Sequence, residues 1–246
     1  LHLTKKVREH AETLGHAQDG HPHYDRGMID ELVIATGNPH KVAELREILG
    51  PAGLRVCSLC DLERLGQGPF DEPDETGSTF EENAQIKALA YARQTALPCL
   101  ADDSGLVIDA LGGRPGVISS HYCTDGRDEG LDREQRDQQN NARVLRELEG
   151  VPPEHRTARF VCVMVVAAPA AHPLSEPTII ASTRGTFEGR IGIPPAVPRG
   201  THGFGYDPIF LVAPEYTKTS AELLPHEKNA MSHRARAAHA LLAALR

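Results

Sequence analysis

The chain has 246 residues, 40% of them hydrophobic, enough for a sizeable core in one large domain or two small lobes. A formal net charge of -8 excludes a surface that coats nucleic acid through excess positive charge. No apolar run approaches the roughly 20 residues of a membrane span, and the first residues lack the apolar core of a signal peptide, so a cytoplasmic location is expected.

Residues 1 to 27 are polar, show no sustained period and hold His2, His10, His16, His21 and His23. They are expected to form a poorly ordered tail, with the folded domain beginning near Met28. Glu31 to Ala35 has the composition of a short buried strand and runs into Thr36-Gly37-Asn38-Pro39-His40-Lys41. Val42, Leu45, Ile48 and Leu49 then recur at helical spacing, with Asn38 fitting an N-cap, Pro39 the first helical position and Gly50 the stop. A strand, a Gly turn and a helix N-terminus present free N–H groups and a positive dipole end to an anion, and Lys41 adds a full charge. An ordinary strand-to-helix connection fits the same residues apart from the lysine. The GxxxxGK[ST] order of a Walker A loop is absent.

Leu54 to Leu59 alternates as a second strand. Cys57 and Cys60 form a CxxC, but without a second such pair or a nearby histidine pair they do not make a zinc site. An odd number of cysteines, five, spread along the chain does not read as a disulfide framework. Residues 63 to 78, rich in Gly, Pro and acids, form a loop. Ser78-Thr79-Phe80-Glu81 reads as a capping box opening a helix that runs to about Arg93, with Ala84, Ala88, Leu89 and Ala92 on its apolar face. Asn83 and Lys87, four apart, share another face.

The stretch Ala101 to Gly116, ADDSGLVIDALGGRPG, organises the rest. Asp102 and Asp103 end a short apolar run and meet Ser104 and Gly105 at an expected strand-to-loop corner. Adjacent carboxylates repel, so a divalent metal, a Lys or an Arg has to offset them. An Asx-type turn also fits an isolated DDSG. If the Asn83 and Lys87 face looks toward the pair, Lys87 becomes a phosphate ligand.

Farther on, a helix is expected from about Arg133 to Glu149, with Val144, Leu145 and Leu148 inward. Ala158 to Ala168 is the most apolar run and reads as a central strand, with Cys162 in the core and Thr178 to Phe187 pairing back as a long hairpin. Residues 189 to 207, GRIGIPPAVPRGTHGFGYD, are too rich in Gly and Pro for regular structure and read as a functional loop. Phe204 and Tyr206 are rings on flexible backbone that either stack on a flat ligand or fill core, and Asp207 follows. A final helix buries Ala235, Ala238, Leu241, Leu242 and Leu245.

Taken in order, TGNPHK, ETGSTFEENAQIKA, ADDSGL, GGRPG, FGYDPIF and EKNAMSHR resemble the Ham1/RdgB family of inosine/xanthosine triphosphate pyrophosphatases, over roughly Ile29 to Arg246. The resemblance implies an α/β fold with an elongated mixed β-sheet flanked by helices, and a single domain at 28–246 whose two lobes enclose a substrate cleft. It also implies a homodimer and Mg²⁺-dependent hydrolysis of non-canonical purine nucleoside triphosphates (ITP, dITP and XTP) to the monophosphate and pyrophosphate. The partner is then a small molecule, with no nucleic acid or membrane involved.

Residue by residue, the resemblance implies phosphate binding by Thr36, Gly37, Asn38, Pro39, His40 and Lys41. Asp103 becomes metal ligand and proton acceptor, Asp102 its support, Ser104 a substrate contact and Glu75 a second metal ligand. Lys87 lies near the phosphates, Phe204, Gly205, Tyr206 and Asp207 bind the base, and Lys228, His233 and Arg234 complete the substrate contacts. The charges of a triphosphate are then offset by Mg²⁺, Lys41, Lys87, Lys228 and the helix N-terminus. Arg234, and His233 where it presents an N–H, are donors that suit the 6-keto oxygen of hypoxanthine or xanthine and mismatch the 6-amino group of adenine. Guanine shares the 6-keto group, so its 2-amino group has to be met elsewhere, near Asp207. A non-catalytic nucleotide sensor has no need of the Asp pair, and a pyrophosphatase of other base preference, such as the Maf-like enzymes, is disfavoured by SHR and FGYD.

Overall fold

The computed structural model describes residues 31–172 and 174–246; the expected tail and the domain start at Met28 lie outside them. The strands are β1 (Glu31–Ile34), β2 (Arg55–Ser58), β3 (Cys99–Ile108), β4 (Thr157–Ala168), β5 (Thr178–Ile191) and β6 (Phe210–Val212). The α-helices are α1 (Pro39–Leu49), α2 (Leu59–Arg64), α3 (Phe80–Thr95), α4 (Arg133–Glu147), α5 (Pro225–Met231) and α6 (His233–Ala244). The strands form one mixed sheet in the order β2-β1-β3-β4-β5-β6, parallel where β1 meets β2 and β3 and antiparallel elsewhere.

Strand periodicity sorts the core. Odd-numbered Cys99, Ala101, Val161, Val163 and Val165 face α3, where Phe80, Ala84, Ala88, Tyr91 and Ala92 cover them. Even-numbered Leu100, Cys162, Met164 and Val166 face α1 and α6, covered by Val42, Leu45, Ala235, Ala238 and Leu241. Farther along the hairpin, Leu106, Ile108, Ala158 and Phe160 form a third cluster with Val144 of α4, Tyr206 and Phe210. Each fully buried Leu, Ile, Met or Phe contributes about 1.5–3 kcal/mol, which offsets the burial of charged groups between these clusters.

Several expectations need moving. The capping box of α3 lies one residue later than Ser78/Glu81: Thr79 Oγ1 accepts the Glu82 N–H, and Glu82 Oε2 accepts the Thr79 N–H. Helix α4 stops at Glu147 rather than Glu149, and β5 runs on from Phe187 to Ile191, shortening the Gly/Pro-rich loop. The CxxC splits: Cys57 is buried in β2 while Cys60 is exposed on α2, and all five cysteines are free. Gly185 of β5 admits α6 at close range, since a Cβ there would stand 2.2 Å from the His233 carbonyl and 2.5 Å from the Ala237 nitrogen. That approach brings the first two residues of α6, His233 and Arg234, over the sheet.

Candidate active site

Strand β1 ends at Ile34, opposite Leu100, and the chain turns away through Gly37 into α1. Strand β3 continues on that side without a strand partner until Val107 bridges Pro115. Asp102 and Asp103 are therefore not at a strand-to-loop corner but in mid-strand, paired with Met164 and Val163 of β4. Asp, Ser and Gly are poor strand formers, and long-range pairing with β4 overrides that local preference. The pleat sends the two carboxylates to opposite faces, so each contacts a different set of cations.

Asp102, 2% exposed, faces α1 and α6. Its Oδ2 lies 3.0 Å from Lys41 Nζ and 3.4 Å from Arg234 Nη2, and accepts from Ser104 Oγ at 3.3 Å. Burial alone would raise this carboxyl, but Lys41 and then Arg234 outweigh burial and hold it well below the usual carboxylate range. Arg234, 1% exposed, also donates to Ser104 Oγ at 3.1 Å and pairs with Glu44. Asp102 Oδ1 and Arg234 Nε are buried without a hydrogen-bond partner.

Asp103 faces α3. Lys87 Nζ stands 3.4 Å from its Oδ1 and 2.9 Å from Glu75 Oε2, while Asn83 Nδ2 donates to Asp103 Oδ2 at 3.3 Å. Here burial pushes the carboxyl up and Glu75 adds to the rise, against the pull of Lys87. Burial by itself pushes the Lys87 ammonium down, but Asp103 and Glu75 outweigh it and the net shift is upward. The shared helix face of Asn83 and Lys87 thus looks at Asp103, one member of the pair, and Glu75 reaches Asp103 through the lysine.

The Thr36–Lys41 turn closes one wall. Thr36 Oγ1 accepts the Asn38 N–H, and Asn38 Oδ1 caps α1 by accepting the His40 N–H at 3.0 Å. Gly37, Pro39 and His40 are exposed. A cavity of about 160 Å³ opens beside this wall, lined among others by Asn38, Ser104, Phe204, Lys228, His233 and Arg234. His233 is buried and stacked on Phe160 with ring centroids 5.1 Å apart. Burial, then Arg234 and Lys228, hold its pKa well below the usual histidine value, so the ring is neutral, with Nδ1 unpartnered.

On the opposite wall the Phe204–Asp207 segment is pinned rather than flexible. Asp207 Oδ2 accepts the Phe204 N–H at 2.8 Å and Lys228 Nζ at 2.6 Å. Gly203, at φ 77°, has to be glycine, because a Cβ would lie 2.0 Å from that same Oδ2. Phe204 faces the cavity, with Lys228 Nζ 5.2 Å from its centroid and the His40 ring 5.5 Å away. Tyr206 is core, not a stacking platform: it is 4% exposed and its hydroxyl donates to the Ser119 carbonyl at 2.7 Å. Lys228 is not a free cation either, since Asp207 holds it within the protein.

Sequence reading missed Glu44, Arg133, Asp137 and Asn141. Glu44 follows Lys41 by three residues and so shares its face of α1, the one local signal for its pairing with Arg234. The other three lie on a helix face whose composition looks solvated; Arg133 Nη1 nevertheless bonds Asn38, and Asp137 and Asn141 bond Gly205.

An α/β sheet whose open strand edge carries two carboxylates, flanked by lysines and a helix N-terminus, defines an enzyme cleft for a phosphorylated substrate. The chain belongs to the Ham1 family, whose model matches residues 32–244. It is 48% identical over 209 residues to a dITP/XTP pyrophosphatase of Geobacillus kaustophilus, covering 84% of this chain and 90% of that protein. A dITP/XTP pyrophosphatase of Bacillus subtilis is 46% identical over 208 residues, 85% of this chain and 93% of the relative. Among solved structures, a HAM1 protein from Coxiella burnetii matches with a TM-score of 0.69 and 41% identity, covering 87% of this chain and 98% of that one.

Proposed function

We propose that this cleft hydrolyses non-canonical purine nucleoside triphosphates, dITP, ITP and XTP, to the nucleoside monophosphate and pyrophosphate. The observation that carries the reading is the division of Asp102 and Asp103 between two faces of β3: one carboxylate locked ionised by Lys41 and Arg234, the other raised and ready to take a proton. The names of the Geobacillus and Bacillus relatives agree with it.

In this reading the phosphates lie against the Thr36–Lys41 turn, with Lys41 and Lys87 offsetting their charge. Asp103 accepts the proton of a water attacking the α-phosphate, and pyrophosphate leaves. Asp102 holds Lys41, Ser104 and Arg234 in register. Phe204 stacks on the base, Gly205 and Asp207 shape its turn, and Tyr206 supports that turn from the core. A neutral His233 and the Arg234 guanidinium present donors to a 6-keto oxygen, and adenine's 6-amino group would oppose those donors.

Asp103 and Glu75 suit a Mg²⁺ ion: both are hard oxygen donors already bridged by one cation, the Lys87 ammonium. No group of three or more metal-binding side chains occurs among the described residues, and Mg²⁺ commonly takes only one or two protein carboxylates alongside substrate phosphates. When bound, it would supply charge neutralisation at the triphosphate. The family match over residues 32–244 supports one continuous unit; we take residues 28–246 to form a two-lobed domain that acts as a cytoplasmic homodimer. Among the described residues no helix is long and apolar enough to cross a membrane.

The test is pyrophosphate release from ITP, XTP, GTP and ATP with and without Mg²⁺. Magnesium-dependent turnover of ITP and XTP, with ATP poorly used, is the expected result. Equal turnover of ATP and ITP would remove the selectivity argument.

A further inference from the structure

Helix α4 carries Arg133, Asp137 and Asn141 at four-residue spacing, so the three side chains stand along one face. All three meet the turn that presents the Phe204 ring. Asp137 Oδ2 accepts the Gly205 N–H at 2.9 Å, and Asn141 Nδ2 donates to the Gly205 carbonyl at 3.0 Å. Arg133 sets its guanidinium carbon 4.7 Å from the Phe204 centroid. The same guanidinium reaches the opposite wall, where Nη1 donates to Asn38 Oδ1 at 3.0 Å. That oxygen is the one that caps α1.

We propose that this stripe positions Phe204 relative to the Thr36–Lys41 turn, and so sets the separation between the base end and the phosphate end of a bound nucleotide. The inference rests on the nucleotide reading above. Gly205, at φ 64°, lends its turn no rigidity of its own, so the ring stays where side chains hold the backbone. A carboxylate on the N–H and an amide on the carbonyl hold both polar groups of that residue from one rigid helix. Arg133 adds the second anchor: it faces the ring with one part of its planar fork and ties the phosphate-side turn with another. Arg133, Asp137 and Asn141 act through Phe204 and Asn38, and are positioning residues.

Contacts to the base are made alike in ground and transition states, so losing them raises KM and spares kcat. A base-free polyphosphate does not feel the hold of Asp137 and Asn141 on Gly205. The experiment measures steady-state pyrophosphate release from ITP by the full chain, with inorganic tripolyphosphate as competitive inhibitor, for wild type, Asp137→Ala, Asp137→Asn and Arg133→Ala. Asp137→Ala and Arg133→Ala are expected to raise the KM for ITP about tenfold with kcat changed less than about threefold. Asp137→Asn keeps an oxygen that accepts the Gly205 N–H, and should bring KM back to within about twofold of wild type. The tripolyphosphate inhibition constant should stay put in both Asp137 variants, whereas Arg133→Ala, which also releases Asn38, is read on the ITP KM alone. Should Asp137→Ala fail to fold, Arg133→Ala, at a half-buried side chain, carries the test. An ITP KM unmoved in both, a tripolyphosphate constant rising in step with KM in Asp137→Ala, or an Asp137→Asn as impaired as Asp137→Ala would each overturn the proposal. A wild-type chain inactive on both ITP and XTP would instead overturn the proposed function, and this inference with it.

Discussion

Asp102 and Asp103 are neighbours in sequence and opposites in environment. Asp102 faces α1 and α6, where Lys41, Arg234 and Ser104 converge on one oxygen and hold the carboxyl ionised. Asp103 faces α3, where burial and the Glu75 charge outweigh Lys87 and raise it. The pleat of a single strand thus turns one dipeptide into two chemically distinct carboxylates. In the proposed reading one belongs to the framework of the site, and the other to its chemistry.

The sharpest way to break this contrast is turnover. Asp103→Asn is expected to lower kcat for ITP by about 10²–10⁴-fold, the range of a lost general base, in a pyrophosphate-release assay. Undiminished turnover would remove Asp103 from the chemistry. Asp102→Ala should tell in stability instead, because it strands the buried Arg234 and the nearby Lys41. Urea titration at pH 7 is expected to show a loss of about 3–5 kcal/mol. A loss no larger than that of an exposed ion pair would mean that Glu44 alone suffices for Arg234.

The smallest effect concerns pH, and the two carboxylates carry opposite signs. The lowered pKa of Asp102 gives stability that is present above the unfolded value of about 3.9 and is lost as pH falls through the folded one. The raised pKa of Asp103 works against stability as pH climbs from about 3.9 through its folded value. In metal-free buffer, Asp103→Asn should therefore melt above wild type at pH 7, with the gain vanishing near pH 3. Thermal melts at the two pH values check this, and a lower melting temperature for the variant at pH 7 would reverse the assignment.

Local rules reach far into this chain where neighbours in sequence are also neighbours in space. The β1–turn–α1 unit follows from an apolar run, a glycine, an N-cap and Pro39; the structure keeps the cap and the proline, ends the strand one residue early at Ile34, and carries Gly50 on into a short 3-10 turn. The Asn83–Lys87 face needed only helical spacing. Where partners come from afar, composition misleads: Asp102 meets Arg234 from 132 residues away, and Arg133 meets Asn38 from 95 away. Tyr206 looks like a ligand platform between glycines until Ser119, 87 residues earlier, takes its hydroxyl.

What the amino-acid sequence determined by itself is the set of parts: the anion-facing helix start, the apolar hairpin strand, the acidic pair and the ordered motifs that point to the Ham1 family. Tertiary structure alone decided how those parts divide the work. Strand pairing with β4 drew DDSG into the sheet and sent its two carboxylates to different faces, where α1 and α6 bring Lys41 and Arg234 to Asp102 and α3 brings Lys87 to Asp103. The physical reason is range: caps and periodicity act within a turn or two of chain, whereas the charge state of a buried carboxylate depends on every group the fold brings within a few ångströms.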